Sequence, residues 1–114
     1  MKRSFALVLS LGVIALGGVG VAQAADAVDA DAAQALMKKS DCGKCHAVDK
    51  KKDGPSYKET AAKFKGKPTA EDDLYKHLTT SPKIKIDGKE EEHKKVNSTN
   101  EAEVRNLVRY ILTR

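Results

Sequence analysis

Apolar residues recur at helical spacing over most of the chain and predict four helices. The best defined is the last, where apolar residues follow the i, i+3, i+4, i+7, i+8 pattern of an amphipathic helix. Its apolar residues are Val104, Leu107, Val108, Ile111 and Leu112. The other helices are predicted over about residues 31–39, 56–65 and 69–79. We therefore expect an all-α fold.

Polar residues at the predicted helix starts give the expected boundaries. Ser56 and Glu59 have the spacing of a capping box, in which the two residues satisfy each other's free backbone N–H groups. Ser98 and Glu101 have the same spacing, so the last helix is expected to begin at Ser98. Thr69 is the expected N-cap of the third helix.

The segment between the third and fourth helices, residues 81–97, is less regular and is called the distal arm below. Ile84, Lys85 and Ile86 alternate in polarity and are followed by Asp87-Gly88, a turn signal, so a short hairpin is possible. Residues 90–95 place acids before bases, which predicts a charged helical turn or loop.

The most specific chemical feature is the sequence Cys42-Gly43-Lys44-Cys45-His46, which has the C-x-x-C-H form of a haem attachment site. Each thiol would add to one vinyl group of the haem, and the adjacent imidazole would become the proximal iron ligand. A redox-active C-x-x-C pair and half of a zinc site are the alternatives. Zinc would need further ligands, and the chain has only two cysteines. A redox pair would sit in a βαβ pattern, and none is visible. We therefore predict one covalent haem c with its iron.

The N-terminal residues have the pattern of an export signal. Lys2 and Arg3 precede an apolar run over residues 5–21, and Ala22-Gln23-Ala24 resembles a cleavage site for small residues. Residues 1–24 are therefore expected to be a cleaved signal peptide, with an uncleaved membrane anchor as the alternative. After cleavage no stable membrane insertion is expected. Because haem is attached to such motifs outside the bacterial inner membrane, we expect the protein in the periplasm.

Residues 25–114 would form one small domain with few aromatic side chains. A core of these side chains alone would be thin, and a buried haem would supply the missing apolar surface. Two of the 21 basic residues and none of the 16 acidic residues precede residue 25, so the mature chain has a formal charge of +3. Such a balance argues against nucleic-acid binding, where a strongly basic stripe is expected.

Taken together, residues 25–114 resemble a small bacterial class I cytochrome c. The resemblance implies a fold in which about four helices surround one covalent haem. It also implies that the Pro55 carbonyl accepts a hydrogen bond from His46, and that Tyr110 lies where the first and last helices cross. The residues that carry the resemblance are Cys42–His46, Asp49, Gly54–Tyr57, Ala61–Phe64 and Leu107–Leu112.

The chain departs from this family at the second axial ligand of the iron, which is usually a methionine shortly before the last helix. No methionine follows Met37, which lies on the first predicted helix and is expected to be a packing residue. Counted back from Ser98, the expected ligand position falls within a residue or two of His93. We therefore predict His93 as the distal ligand, with His77, Met37, a lysine or no ligand as alternatives.

The predicted function is one-electron transfer between a redox protein donor and a redox protein acceptor. We predict no catalytic residues, because no nucleophile–base arrangement is visible. The alternative is a haem sensor or gas-binding protein with a displaceable distal ligand. We expect a monomer whose partners carry acidic docking surfaces, although the basic residues could equally serve solubility. These residues bracket the haem motif and are Lys38, Lys39, Lys44, Lys50, Lys51 and Lys52.

Overall fold

The computed structural model describes residues 27–114, so the predicted signal peptide at residues 1–24 lies outside the described part of the chain. The described residues form four α-helices and one two-stranded antiparallel sheet, as predicted. The helices are α1 (Ala30–Lys39), α2 (Tyr57–Phe64), α3 (Ala70–Thr80) and α4 (Glu101–Leu112), and the strands are β1 (Lys83–Ile86) and β2 (Lys89–Glu92).

Helix α4 is the centre of the hydrophobic core, and α1, α2 and α3 all pack against it. The predicted apolar face is the buried one: Val104, Leu107 and Val108 are almost fully buried. Tyr110 is also buried, and its hydroxyl accepts a hydrogen bond from Gln34 Nε2 of α1 at 3.0 Å. It therefore lies at the contact between the first and last helices, as expected.

Of the two capping boxes predicted from the sequence, one is present and the other is not. The Ser56 capping box is present in both directions, with Glu59 N–H donating to Ser56 Oγ and Ser56 N–H donating to Glu59 Oε2. The prediction that α4 begins at Ser98 was wrong. Asn100 is the N-cap, because its side-chain oxygen accepts from the Glu103 N–H, and the Ser98 hydroxyl instead donates to the Glu103 carboxylate.

Thr69 does occupy the N-cap position of α3, but its side chain makes no capping bond. Its hydroxyl donates to Asp73 Oδ2 at 2.9 Å instead.

The distal arm contains the hairpin that the alternating residues suggested. Its turn, Asp87-Gly88, has two residues with positive φ, the conformation that joins tightly twisted strands. Residues 90–92 were expected in a helical turn or loop, and this was wrong: they belong to β2. The register explains why, since Lys83 faces Glu92 and Lys85 faces Glu90, so opposite charges pair across the strands.

After the hairpin, hydrogen bonds donated by three backbone N–H groups attach the chain to neighbouring segments. His93 N–H donates to Pro82 O at 2.8 Å, and Val96 N–H donates to Leu78 O at 2.9 Å. Asn97 N–H donates to the Ser40 hydroxyl at 2.9 Å. These bonds place residue 93 between α3 and the end of α1. Among residues 27–114, no helix combines the length and the apolar character needed to cross a membrane.

Candidate haem site

The cysteine motif lies in a tight turn directly after α1. Asp41, two residues after the end of α1, has a left-handed backbone conformation. Residues 42–44 then form one turn of 3-10 helix. Cys45 and His46 N–H groups both donate to Cys42 O, at 3.2 and 2.9 Å. The turn therefore gathers both thiols and the imidazole within one short segment, which is what attachment to a single haem requires.

The two thiols do not resemble a redox-active pair. Both are free and partly buried. Burial raises the pKa of the Cys42 thiol, whereas a reactive C-x-x-C cysteine has a lowered pKa. This environment disfavours the thioredoxin-like alternative.

His46 is oriented by the backbone of the following loop. Its Nδ1 lies 2.7 Å from Pro55 O. A carbonyl oxygen only accepts, so Nδ1 carries the proton in this hydrogen bond and Nε2 is left as the metal-binding nitrogen. The contact is the one that the family resemblance implied.

Gly54 is required beneath the His46 ring, a role that the sequence did not reveal. A Cβ at this position would lie 2.4 Å from His46 Cε1 and 2.8 Å from Nδ1, so the ring or the loop would have to shift. In the sequence, Gly54 was notable only as part of the segment Gly54–Tyr57 that carries the family resemblance. Tyr57 adds a second contact, its ring stacked on His46 at a centroid separation of 5.7 Å. We refer to residues 41–55 as the proximal loop.

The distal arm places His93 beside His46. The ring centroids of His46 and His93 are 6.2 Å apart, although the residues are far apart in sequence. Two imidazoles on opposite sides of one metal ion would have centroids roughly 6 Å apart, because each metal–nitrogen bond is about 2 Å long. His93 Nδ1 is buried and has no hydrogen-bond partner among the described residues. Such an orphaned nitrogen is costly unless a further group completes the site.

His77 also lies at this site, beside His93. Its ring centroid is 4.5 Å from that of His93, at an interplanar angle of 58°. Burial lowers the pKa of both rings, with a further contribution from the neighbouring imidazoles. Both are therefore neutral at pH 7, the form that binds metals. The sequence treated them as alternatives and gave no sign that they touch.

Met37 is placed differently from the histidines. Its partly buried side chain packs against the hydrophobic core. This position agrees with the packing role expected for a methionine on a helix.

The six lysines around the motif are all exposed, and we call them the lysine surface: Lys38, Lys39, Lys44, Lys50, Lys51 and Lys52. Lys52 Nζ donates to Gly43 O at 2.5 Å, so one of them is tied to the cysteine turn itself. Val48, next to this surface, is the only large hydrophobic residue among residues 27–114 that is clearly exposed, at 44%.

An ion pair connects the proximal loop to the distal arm. Lys94 Nζ lies 2.7 Å from Asp41 Oδ2, and Lys44 Nζ lies 3.7 Å from the same oxygen. The hydrogen bond from Lys94, with the nearby Lys44 charge, holds the pKa of Asp41 below its ordinary value. The carboxylate therefore stays ionised at neutral pH next to Cys42.

Comparison with known proteins identifies the family. Residues 30–114 match the family model described as cytochrome c. The cytochromes c-551 of Stutzerimonas stutzeri and Pseudomonas aeruginosa are 44% and 43% identical over 66 and 61 residues. These alignments cover 58% and 54% of this chain, and 61% and 56% of the two relatives.

Solved structures agree with the sequence relatives. The class 1 cytochrome MtoD of Sideroxydans lithotrophicus ES-1 is 50% identical, with a TM-score of 0.74, and the match covers 76% of this chain and 97% of that one. Wild-type cytochrome c552 of Nitrosomonas europaea is 28% identical, with a TM-score of 0.56, over 70% and 96% of the two chains.

The residues of the site fit the cofactor that this family contains. Two free thiols at C-x-x-C spacing, a histidine with one committed nitrogen, and a buried unpartnered imidazole nitrogen are the groups that a covalent haem needs. The chain belongs to the cytochrome c family, as a small monohaem class I cytochrome c with one covalently attached haem c.

Proposed function

We propose that the protein is a one-electron carrier between two redox proteins, with His46 and His93 as the axial pair. The observation that supports this most directly is the 6.2 Å separation of the two imidazole rings, which come from the proximal loop and the distal arm. A bound haem would hold the electron between donor and acceptor, because its iron can take up and release one electron.

On the proximal side, Cys42 and Cys45 would each hold the haem through a thioether bond, and His46 would bind its iron. The Pro55 carbonyl accepts the Nδ1 proton, which fixes the ring plane and makes the imidazole a stronger donor. Gly54, which has no side chain, lets the backbone of the loop pack closely against the ring. These contacts keep the proximal ligand in one position in both oxidation states.

On the distal side, His93 closes the position where a substrate or a gas would otherwise bind. A closed site favours electron transfer over catalysis, since nothing can reach the reacting atom, and no catalytic residue is proposed. Methionine as the axial ligand raises the reduction potential, so a second histidine is expected to lower it relative to a His/Met cytochrome.

The lysine surface is proposed to bind donor and acceptor proteins through acidic patches. Electrostatic steering of this kind speeds encounter and weakens as salt is added. Exposed Val48 supplies an apolar contact next to these charges. The carrier would act as a monomer in the periplasm, after removal of residues 1–24.

The experiment that tests the axial pair is near-infrared magnetic circular dichroism of the ferric protein. A band typical of two nitrogen ligands is expected. A sulfur-ligated signature would make Met37 the ligand, and a high-spin signature would favour a sensor or gas-binding protein.

A matched measurement is carbon monoxide binding to the reduced protein. The closed site should bind it poorly and slowly. Rapid, complete binding by the unmodified protein would contradict the carrier assignment.

A further inference from the structure

We propose that His77 is a second distal ligand, which takes the iron when His93 withdraws, so that the distal side stays closed. This inference rests on the proposed pairing of His46 with His93. It comes from the contact between the two rings, whose centroids are only 4.5 Å apart. Two imidazoles in contact beside His46 are more than a single axial position needs.

His77 is carried by a firmly held helix. Its neighbours Leu74 and Leu78 are buried in the core. Helix α3 is also bound to α4 by Arg105, which reaches Glu71 and Asp72 at 3.3 and 3.0 Å. The His77 ring itself is half-buried, and no hydrogen bond joins it to another described residue. It is therefore free to turn while its backbone stays in place.

His93 is carried by a segment with fewer attachments. On either side of it, the chain is held by the bonds from His93 N–H to Pro82 O and from Val96 N–H to Leu78 O. Two further ties are the bond from Asn97 N–H to the Ser40 hydroxyl and the ion pair of Lys94 with Asp41, whose side chains are 66% and 42% exposed. Exposed ion pairs contribute little stability, and segments with few buried contacts open before the core does. Withdrawal of His93 is thus the easier motion.

When His93 leaves, the space it vacates lies against the His77 ring. Either water or the second imidazole can fill it. Imidazole is favoured, because it is a stronger ligand than water and its ring fills the cavity that would otherwise cost stability. The consequence is a low-spin iron that remains inaccessible to small molecules during opening of the distal arm.

The test uses the haem-loaded protein with His93→Ala, alone and combined with His77→Phe. Phenylalanine keeps an aromatic ring at residue 77 and removes both nitrogens, so packing is largely preserved. Electron paramagnetic resonance and near-infrared magnetic circular dichroism report the spin state. H93A should stay low-spin with a two-nitrogen signature, and H93A/H77F should become high-spin and bind carbon monoxide readily.

A control carries the second change at the neighbouring exposed residue of the same helix. H93A/K76A should keep the low-spin signature of H93A. A high-spin H93A protein would overturn the inference, and so would a low-spin H93A/H77F protein, since another residue would then be the ligand. Far-UV circular dichroism of each variant checks that the helices are retained.

Failure of the inference and failure of the proposed function give different results. H77F alone should remain low-spin, because His93 is still present. If H77F is high-spin while H93A is low-spin, His77 is the primary ligand and the proposed axial pair is wrong. If the unmodified and H77F proteins are low-spin and H93A is high-spin, the pair stands and the reserve ligand does not exist.

Discussion

The proximal loop and the distal arm hold their histidines by different means. His46 is fixed by contacts within a short stretch of chain: a turn of 3-10 helix, a carbonyl at 2.7 Å and a glycine against its ring. His93 is fixed by long-range contacts, one of them an exposed ion pair. A site can thus combine one ligand set by local sequence with one set by the tertiary fold. The first should resist perturbation, and the second should yield.

The largest effect should come from removing both thiols. C42A/C45A should lose covalent haem, because both thioether bonds are lost, and the small domain should then lose most of its helical structure. Haem staining on denaturing gels and far-UV circular dichroism measure the two effects. Covalent haem that persists in this variant would refute the attachment site, and full helicity without haem would show that the helices do not need it.

A single added methyl group should disturb the close packing of the proximal loop against His46. Gly54→Ala would put a methyl group 2.4 Å from His46 Cε1, so the ring or the loop must shift. We expect a loss of about 1–3 kcal/mol in the free energy of unfolding, the usual cost of overpacking. Urea denaturation of the haem-loaded protein measures it.

Gly43→Ala is the matched control for that change. It lies in the same loop, and a Cβ there would meet nothing within 4 Å. Its free energy of unfolding should change by no more than about 0.5 kcal/mol. Equal losses in the two variants would mean that the His46 contact is not what requires glycine.

The sequence predicted the features of this site that depend on local residues, and it missed those that depend on the tertiary fold. The C-x-x-C-H motif, the Ser56 capping box and the α4 pattern are local, and each was found from spacing alone. The contact of His77 with His93 joins a helix to the distal arm, so no local pattern records it. The start of α4 was missed for a related reason: Ser98 and Asn100 both have capping side chains, and only the fold decides which one accepts the helix N–H.

The proximal loop and the distal arm should also differ in how much they contribute to binding a redox partner. K50E/K51E reverses charge on the lysine surface, and at low salt it should slow electron transfer to an acidic redox protein by about tenfold. Lys85 and Lys89, both exposed on the hairpin, are the control pair, and K85E/K89E, which changes the net charge by the same amount, should have a smaller effect. Stopped-flow rates over a range of salt concentrations measure both. Equal slowing by the two variants would mean that net charge, and not the lysine surface, determines the rate.

The smallest effect should come from cutting the tie between the two regions. Asp41→Asn removes the ion pairs with Lys94 and Lys44 and should loosen the distal arm, while the backbone hydrogen bonds of the proximal loop remain. Amide hydrogen exchange should therefore quicken at His93 and Val96 but not at Gly54, whose N–H donates to Cys45 O. Asp49→Asn is the control, because Asp49 is exposed and forms no ion pair with a described residue.

The ion pair of Asp41 with Lys94 should also make the stability of the distal arm depend on pH. Lys94, with Lys44, holds the pKa of Asp41 below its ordinary value, so its stabilising effect is complete above about pH 4. It should be lost as the pH falls through the lowered pKa, and the exchange rates of the unmodified protein, corrected for intrinsic rates, should then approach those of D41N. If D41N and the unmodified protein already match at pH 7, the ion pair does not hold the arm. The hydrogen bonds to Pro82 and Leu78 would then be sufficient to position His93.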